Sequence, residues 1–347
     1  MKLIIFRTSV DGCCTTAAYV PERVSFWSSV KRFKFPMTTF KTQNRHGYSI
    51  KFSPNRSNLL AIATAQYYGF KGGGTLFLVS YNKKKSSITK KYDMFWEDGL
   101  FDVVWSRTVK SLLVTGSGDG TIQMWNYKHP QEPVRIFREH KKEVCSIDWC
   151  QNSIDDFILS ASWDCSVKLW DPNKYCSLTT YKGHDRLVYE AKWSPFLSSC
   201  FASVSGDGIL GIWDCSSPLR PSVKINAHQA EILCCSWNQF HPFILVTGGS
   251  EGLIRVWDMR KLITPIFQLE GCQDAVKRVQ CSPHHWSTLA SVSYDFTTKI
   301  WDYSTSSEPR QSHQNHSDFV YGLDISPSEN GLMADCGWDA EARVFQI

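Results

Sequence analysis

Short runs of alternating apolar and polar residues recur along the chain, with turn residues between them. One unit contains the runs 188–193, 200–205 and 209–213, separated by Ser194-Pro195 and by the turn Gly206-Asp207-Gly208. Runs of this length bounded by Gly, Pro, Asp and Asn are typical of β-strands and turns. No longer stretch has a helical period of 3.6 residues, so the pattern predicts an all-β fold.

The runs belong to a repeat of about 44 residues. Tryptophans recur in two registers, an acidic residue lies six positions before each member of the first register, and histidines lie 23 or 24 positions before the acidic residues. The registers are Trp125, Trp170, Trp213, Trp257, Trp301 and then Phe345; Trp105, Trp149, Trp193 and Trp237; Asp119, Asp164, Asp207, Glu251, Asp295 and Asp339; and His140, His184, His228 and His316. Four registers in phase over five or more copies indicate a repeat architecture.

Units of this length with four short strands and a terminal Trp-Asp pair resemble the WD-repeat family. Trp-Asp stands at 170–171, 213–214, 257–258 and 301–302. The resemblance implies a seven-bladed WD40 β-propeller whose degenerate first blade begins near Tyr48. The last blade is short of one strand, and an N-terminal strand within 38–43 is expected to close it and so cover an open sheet edge. Residues 37–347 are predicted to form the propeller. Residues 1–36 are interpreted as an N-terminal extension, either disordered or the product of a wrongly assigned start.

Composition narrows the possible classes of function. Apolar residues make up 42% of the chain and charged residues 20%, beside 14 Trp, 20 Phe and 13 Tyr, which excludes a disordered chain. No apolar stretch is long enough to predict a membrane-spanning helix. A net charge of +5 is modest for 347 residues and favours no nucleic-acid partner. The 13 scattered cysteines favour reduced thiols in the cytoplasm. The basic cluster within 83–91 is interpreted as a solvated loop, with contact to an anion as the alternative.

The recurring histidines and carboxylates could suggest a hydrolase triad, but a triad occurs once whereas these residues recur in successive copies. In the WD-repeat family, the resemblance implies, they form a buried hydrogen-bond network with the Trp indole. The residues assigned to this network are His140, Asp164, Trp170, His184, Asp207, Trp213, His228, Trp257, Asp295, Trp301, His316 and Asp339. No metal-ligand or phosphate-loop motif is found, so the sequence predicts no cofactor, no metal and no enzymatic activity.

Function is therefore expected on a surface. In each blade two positions should point to the upper face, the face at which the inner strands begin. The first is the residue after the first apolar residue of the inner strand. The second is the residue before the recurring acidic residue of the turn (such as Asp207), here called the turn acid. Carboxylates beside bulky aromatic residues suit a basic amphipathic peptide. The predicted peptide-binding residues are Asp102, Glu143, Trp163, Tyr189, Glu231, Tyr294, Tyr321 and Trp338.

Six segments resemble the peroxin-7 family of peroxisomal targeting signal type 2 receptors more closely than WD-repeat proteins in general. They are GYSIKFSP (47–54), LAIATAQYYGFKGGGTLFL (60–78), DGLFDVVWS (98–106), SASWDCSVKLWDP (160–172), AHQAEILCCSWN (227–238) and ASVSYDFTTKIWD (290–302). The first blade is the most specific part, because Ala-Gln-Tyr-Tyr-Gly-Phe replaces its Trp-Asp end. The resemblance covers residues 44–347.

The resemblance implies a receptor that shuttles between cytoplasm and peroxisome and binds an N-terminal nonapeptide on matrix enzymes such as thiolase. It also implies a co-receptor, in animals the long form of the type 1 signal receptor, and a peroxisomal docking complex. Asp102, Glu143 and Glu231 are the expected partners of the basic residue of the signal. The alternative is a WD-repeat scaffold or adaptor in a chromatin or ubiquitin-ligase complex. No Arg stands at the positions projected onto the upper face, which disfavours a phosphorylated degron as the ligand.

Overall fold

The computed structural model describes residues 37–150, 156–197 and 199–347, and the predicted extension 1–36 lies outside them. The described chain forms seven antiparallel sheets of four strands each. Each inner strand packs against the inner strand of the next blade, and the seventh blade packs against the first, so that the blades form a ring. The predicted all-β fold with a seven-bladed β-propeller is confirmed.

Strand β1 (Met37–Lys41) precedes the first blade. Blades one to four contain β2 (His46–Ser53), β3 (Arg56–Ala65), β4 (Gly74–Asn82) and β5 (Ser87–Trp96); β6 (Leu100–Trp105), β7 (Leu112–Ser117), β8 (Thr121–Asn126) and β9 (Arg135–Arg138); β10 (Val144–Trp149), β11 (Ile158–Ser162), β12 (Ser166–Trp170) and β13 (Ser177–Lys182); and β14 (Val188–Trp193), β15 (Cys200–Ser205), β16 (Ile209–Asp214) and β17 (Val223–Asn226). Blades five to seven contain β18 (Ile232–Trp237), β19 (Ile244–Gly249), β20 (Ile254–Asp258) and β21 (Phe267–Leu269); β22 (Val276–Cys281), β23 (Thr288–Ser293), β24 (Thr298–Asp302) and β25 (Gln311–His313); and β26 (Val320–Ile325), β27 (Leu332–Gly337) and β28 (Glu341–Gln346).

The fourth strand of blade seven is β1, which pairs antiparallel with β28. The register joins Met37 to Phe345 and Lys41 to Glu341. The strand therefore begins one residue before the range 38–43 given by the sequence. The edge of β28 is covered by this pairing, which removes a row of open backbone groups.

Every inner strand of the described chain has a β-bulge at its second or third residue. In blade four, Val188 pairs with Ser205 and Glu190 with Val204, so that Tyr189 has no partner across the sheet. A bulge of this kind re-aims the side chain of the unpaired residue. The unpaired residues of the seven blades are Tyr48, Phe101, Cys145, Tyr189, Leu233, Lys277 and Tyr321.

The predicted hydrogen-bond network is complete in blades three, four and five. In blade four, Nδ1 of His184 lies 3.0 Å from Asp207 and its Nε2 lies 2.7 Å from the hydroxyl of Ser203. The indole N–H of Trp213 donates to the same hydroxyl at 2.7 Å. The buried indole thus has the polar partner that it needs. Blades three and five repeat the arrangement with His140, Asp164, Ser160 and Trp170, and with His228, Glu251, Thr247 and Trp257.

The network differs in the other blades because single members are replaced. In blade six Cys272 stands where the histidine would be, and Asp295 instead accepts from the ammonium of Lys299 at 2.6 Å. Trp301 still donates to the hydroxyl of Ser291, at 2.8 Å. In blade two Trp96 occupies the histidine position and its indole N–H donates to the turn acid, Asp119, at 3.1 Å.

Blade seven holds its histidine between two carboxylates. Nδ1 of His316 lies 3.0 Å from Asp339, and Nε2 lies 3.0 Å from Asp335, which replaces the hydroxyl residue of the other blades. Burial acts to lower the pKa of His316, but Asp335 and Asp339 outweigh burial and raise it to about 9. An unfolded histidine has a pKa of about 6.5, so protonation of His316 stabilises the folded state fully below that pH. This contribution is lost as the pH rises through about 9.

We expect the free energy of unfolding to fall by up to about 3 kcal/mol from this source between pH 6.5 and pH 9. Urea denaturation at several pH values measures the fall. In the variant Asp335→Ser, which restores the residue type of blades three and four, one of the two carboxylates is gone and the fall should be smaller. The same pH dependence in both proteins would contradict the role assigned to His316.

Candidate functional site

The upper face is organised by one backbone hydrogen bond that recurs in blades two to seven. The residue before the turn acid donates its N–H to the carbonyl of the residue that precedes the inner strand, over 2.9 to 3.0 Å. Trp338 donates in this way to Phe319, and Trp163 to Glu143. The bond brings the two predicted sets of positions together on this face.

A continuous group of aromatic side chains, here called the aromatic surface, lies on the upper face at blades one, two, six and seven. The rings of Tyr321 and Trp338 are stacked with centroids 5.0 Å apart, and Phe319 lies 5.3 Å from Trp338. Tyr48 lies 4.8 Å from Tyr321 and 4.9 Å from Phe101. Offset and edge-to-face contacts at these distances stabilise the rings and hold them in place. The members are Tyr48, Tyr68, Phe101, Tyr294, Phe319, Tyr321 and Trp338.

The segment that replaces the Trp-Asp end of blade one extends this surface. Tyr67 and Tyr68 both have positive φ angles, 44° and 56°, which are strained for residues other than glycine. The hydroxyl of Tyr48 donates to the carbonyl of Tyr68 at 2.7 Å, and the Tyr68 ring stacks on His46 at 3.9 Å. The ring also lies 5.2 Å from Trp338. Tyr68 is 39% exposed and is thus available to a ligand.

An acidic group adjoins the aromatic surface at blades four and five. The hydroxyl of Tyr189 donates to a carboxylate oxygen of Glu231 at 3.0 Å. The ammonium of Lys277 lies 5.7 Å from the ring centre of Tyr189 and 4.9 Å from that of Tyr321. Burial lowers the pKa of Lys277, whereas burial together with Glu231 raises the pKa of Tyr189. Lys277 therefore connects the carboxylate region to the aromatic surface.

Further carboxylates surround the upper face. In the described chain, an acidic residue precedes five of the seven inner strands by one or two positions. Asp98, Asp274 and Asp318 each accept a hydrogen bond from the next N–H, over 2.7 to 2.9 Å. Carboxylates at these positions favour a cationic ligand over an acidic one, although the entry segments of blades three and four also carry the cations Lys141, Lys142 and Arg186. The five residues are Asp98, Glu143, Glu231, Asp274 and Asp318.

The prediction that Asp102 lies on the upper face is wrong. Its side chain is fully buried, and a guanidinium nitrogen of Arg278 lies 3.3 Å from its carboxylate. Burial acts to raise the pKa of Asp102, but the charges of Arg278, Lys192 and Lys51 outweigh burial and lower it to about 2. The bulge in β6 gives the surface position of blade two to Phe101.

Asp102 instead belongs to a buried charge cluster in the centre of the ring. Arg278 also approaches Glu190, at 3.9 Å, and the ammonium of Lys192 lies 3.5 Å from Glu190. Glu190 accepts the backbone N–H of Cys235 at 2.8 Å. The cluster thereby connects blades two, four and six across the channel. The signal that could have found it is the charge carried by the third residue of the inner strand in these three repeats.

The other predicted residues lie at the upper face, where Tyr294 is nonetheless only 9% exposed. The structure brings together Tyr189, Glu231, Tyr294, Tyr321 and Trp338. Glu143 and Trp163 also lie on this face, next to each other on blade three. The sequence-based selection missed Tyr48, Tyr68 and Phe101. Tyr48 could have been found by placing GYSIKF of blade one in register with VYGLDI of blade seven, which aligns it with Tyr321. That the upper-face residues bind a peptide remains a prediction.

No group of three or more His, Cys, Asp or Glu side chains suited to a metal ion is found among the described residues. The same part of the chain contains no helix of the length and apolarity that crossing a membrane requires.

In a comparison with known proteins, the model of the WD domain, G-beta repeat family matches residues 97–126, 131–171, 175–214 and 219–258. The chain is 43% identical over 165 residues to the peroxisomal targeting signal 2 receptor of Mus musculus and 29% identical over 209 residues to that of Saccharomyces cerevisiae. It is 38% identical over 135 residues to peroxisome biogenesis protein 7 of Arabidopsis thaliana. These matches cover 48%, 52% and 38% of this chain and 51%, 55% and 42% of the relatives. The chain thus spans about half the length of the curated relatives it matches.

Proposed function

Because the chain is a WD-repeat β-propeller whose sequence is similar to peroxisomal targeting signal 2 receptors, we propose that it is an import receptor. It binds the type 2 signal at the N-terminus of peroxisomal matrix enzymes and delivers them to the peroxisome. The observation that carries the proposal is the position of Glu231 beside an extended aromatic surface on one face of the ring. A carboxylate next to rigid aromatic rings suits a peptide that presents a cation beside aliphatic side chains.

The upper face can recognise such a signal through two kinds of contact. The signal that the family resemblance implies has a basic and an aliphatic residue, five further residues, then His or Gln and an aliphatic residue. In a helix its positions 1, 2, 8 and 9 lie near one face, because a separation of seven is close to two turns. The aliphatic side chains pack on the rings of Tyr321 and Trp338. The basic residue pairs with Glu231, whose carboxylate the hydroxyl of Tyr189 holds in place.

We extend the proposal to the partners and the location. Cargo such as thiolase, a co-receptor such as the long form of the type 1 signal receptor, and the peroxisomal docking complex are the proposed partners. The receptor shuttles between cytoplasm and peroxisome, and residues 37–347 form its binding domain. The names of the similar proteins support this function over a scaffold in a chromatin or ubiquitin-ligase complex. They point to a binding role rather than a catalytic one.

The variant Trp338→Ala is expected to weaken binding of a fluorescent type 2 signal nonapeptide at least tenfold, because loss of a central aromatic anchor costs about 2 kcal/mol or more. Fluorescence anisotropy measures the affinity, and circular dichroism verifies that the variant is folded. Trp286→Ala is the matched control, since Trp286 is 44% exposed on the lower face, where the inner strands end. Unchanged affinity in folded Trp338→Ala protein, or equal binding of a peptide with its Arg replaced by Glu, would refute the proposal.

A further inference from the structure

The lower face of blades one and two carries several basic side chains that form no ion pair within the described chain. Six Lys or Arg and two acidic residues precede residue 37, so residues 37–347 have a formal net charge of only +1. Seven exposed cations nevertheless lie on the lower-face turns and adjoining strands of these two blades, and none forms an ion pair within the described chain. Here called the basic edge, they are Arg56, Lys84, Lys85, Lys91, Arg107, Lys110 and Lys128.

Two of these cations line a cleft of about 280 Å³ between the blades. Arg56 begins β3, and Lys91 is the unpaired residue of a bulge in β5, where Val79 pairs with Lys90 and Leu78 with Tyr92. The bulge re-aims Lys91, as the inner-strand bulges re-aim the residues of the upper face. The other walls of the cleft are Asn58, Leu59, Ser80, Tyr92 and Tyr127.

The cleft offers donors that suit phosphate oxygens. The guanidinium of Arg56 and the ammonium of Lys91 supply charge, and guanidinium groups bind phosphate through paired N–H donors. The amide of Asn58 lies 3.3 Å from the hydroxyl of Ser80, which can still donate its own proton. The rings of Tyr92 and Tyr127 are stacked with centroids 6.0 Å apart and form a firm wall.

Two lysines of the basic cluster within 83–91 form ion pairs with nearby carboxylates, and the other three form none within the described part of the chain. Lys83 pairs with Glu329 of blade seven, and Lys90 with Asp93 at 2.7 Å. Asp156, on the side of blade three, accepts hydrogen bonds from Thr108 and from the indole of Trp149. Glu132 is also exposed, in the turn that carries Lys128, so among the described residues the seven cations of the basic edge outnumber its one carboxylate without an ion pair.

We propose that the Arg56–Lys91 cleft binds a phosphate monoester in the headgroup of an anionic lipid, and that the basic edge holds the propeller against that lipid surface. The breadth of the edge favours a lipid surface, since cations on the turns of two blades meet many anions at once. Val109 is 47% exposed and Tyr92 42% exposed within the same edge, as suits contact with the boundary between headgroups and acyl chains. Basic residues near an anionic surface add attraction that acts within about a Debye length. The upper face remains open when the lower edge is bound.

The test uses the full chain and flotation with phosphatidylcholine vesicles at physiological salt. Vesicles that also contain phosphatidate should bind the protein, those with phosphatidylserine should bind it less, and pure phosphatidylcholine should not. The double variant Arg56→Glu with Lys91→Glu should lose at least tenfold in binding to phosphatidate vesicles. The matched double variant Lys182→Glu with Lys224→Glu, which changes exposed residues of blades three and four by the same charge, should bind as the wild type does.

The outcomes separate the lipid surface from other sources of phosphate and from the proposed import function. Absence of binding to all vesicles, or an equal loss in both double variants, would overturn the proposal. Binding of inorganic phosphate or a phosphoserine peptide by a protein that leaves phosphatidate vesicles unbound would overturn the lipid assignment. Both double variants should keep wild-type affinity for the signal nonapeptide, so that failure of lipid binding and failure of peptide recognition are observed separately.

Discussion

Replacement of Arg278 by methionine is expected to lower the free energy of unfolding by about 3–5 kcal/mol, because breaking a buried ion pair leaves an uncompensated charge in the interior. Arg278 is 6% exposed, and its guanidinium faces Asp102, which is fully buried, and Glu190, which is 4% exposed. The charges of Asp102 and Glu190 raise the pKa of Arg278 although burial opposes this. Equilibrium denaturation in urea measures the loss.

The matched control is Arg260→Met, which breaks a second Arg–Asp pair in a different environment. The guanidinium of Arg260 lies 2.8 Å from Asp258, but its side chain is 63% exposed. A solvated pair of this kind contributes little to stability, because water screens the two charges. Similar losses in the two variants would show that Arg278 does not hold a buried charge cluster together. Partial recovery in Arg278→Met with Asp102→Asn would identify the unpaired carboxylate as the source of the instability.

Replacement of Trp213 by alanine is expected to cost about 3–5 kcal/mol through lost packing in the core. The side chain is 1% exposed and stacks on Phe201, with ring centroids 5.8 Å apart. It also meets Tyr181 edge-to-face at 5.5 Å and donates to Ser203. Thermal and urea unfolding of the purified variant measure the loss, and a lower yield of folded protein is expected with it.

Two further variants serve as comparisons for Trp213→Ala. Trp213→Phe keeps most of the apolar volume and should retain more stability than alanine, as Phe345 fills the equivalent position of blade seven. Trp286→Ala removes an indole that is 44% exposed and should cost far less than Trp213→Ala. If Trp213→Ala were as stable as wild type, its assignment to the core network would be wrong.

The repeat in the sequence predicts the blades well because period, turn residues and tryptophans are local properties of the chain. The spacing locates His184, Asp207 and Trp213, and the resemblance to the WD-repeat family implies their hydrogen bonds, which each blade forms within itself. The different arrangement in blade seven depends on Asp335, which lies outside the registers used for the prediction. Asp335 is recognised only when His316 is seen between two carboxylates.

The candidate site was less predictable because it depends on bulges. A single unpaired residue shifts every later side chain of the strand to the other side. The choice of Asp102 over Phe101 is an error of one position, and it moved a buried carboxylate onto the upper face. Nor does the sequence show that Lys91 is the unpaired residue of a bulge in β5.

The contribution of blade one was also hidden by its departure from the repeat. Tyr68 reaches Trp338 through a turn with two positive φ angles, a conformation that no residue pattern in Gln-Tyr-Tyr-Gly predicts. The pairing of Tyr189 with Glu231 joins residues 42 positions apart and arises from the packing of adjacent blades. These contacts turn separate rim residues into one surface.

The most direct test of peptide recognition by the upper face is a charge exchange between Glu231 and the basic residue of the signal. Anisotropy titrations would compare wild type and Glu231→Arg, each with the native nonapeptide and with a peptide in which Arg is replaced by Glu. We predict that Glu231→Arg binds the native peptide more weakly than wild type does and binds the Glu peptide more tightly than wild type does. Indifference of both affinities to residue 231 would contradict recognition of the signal at this face.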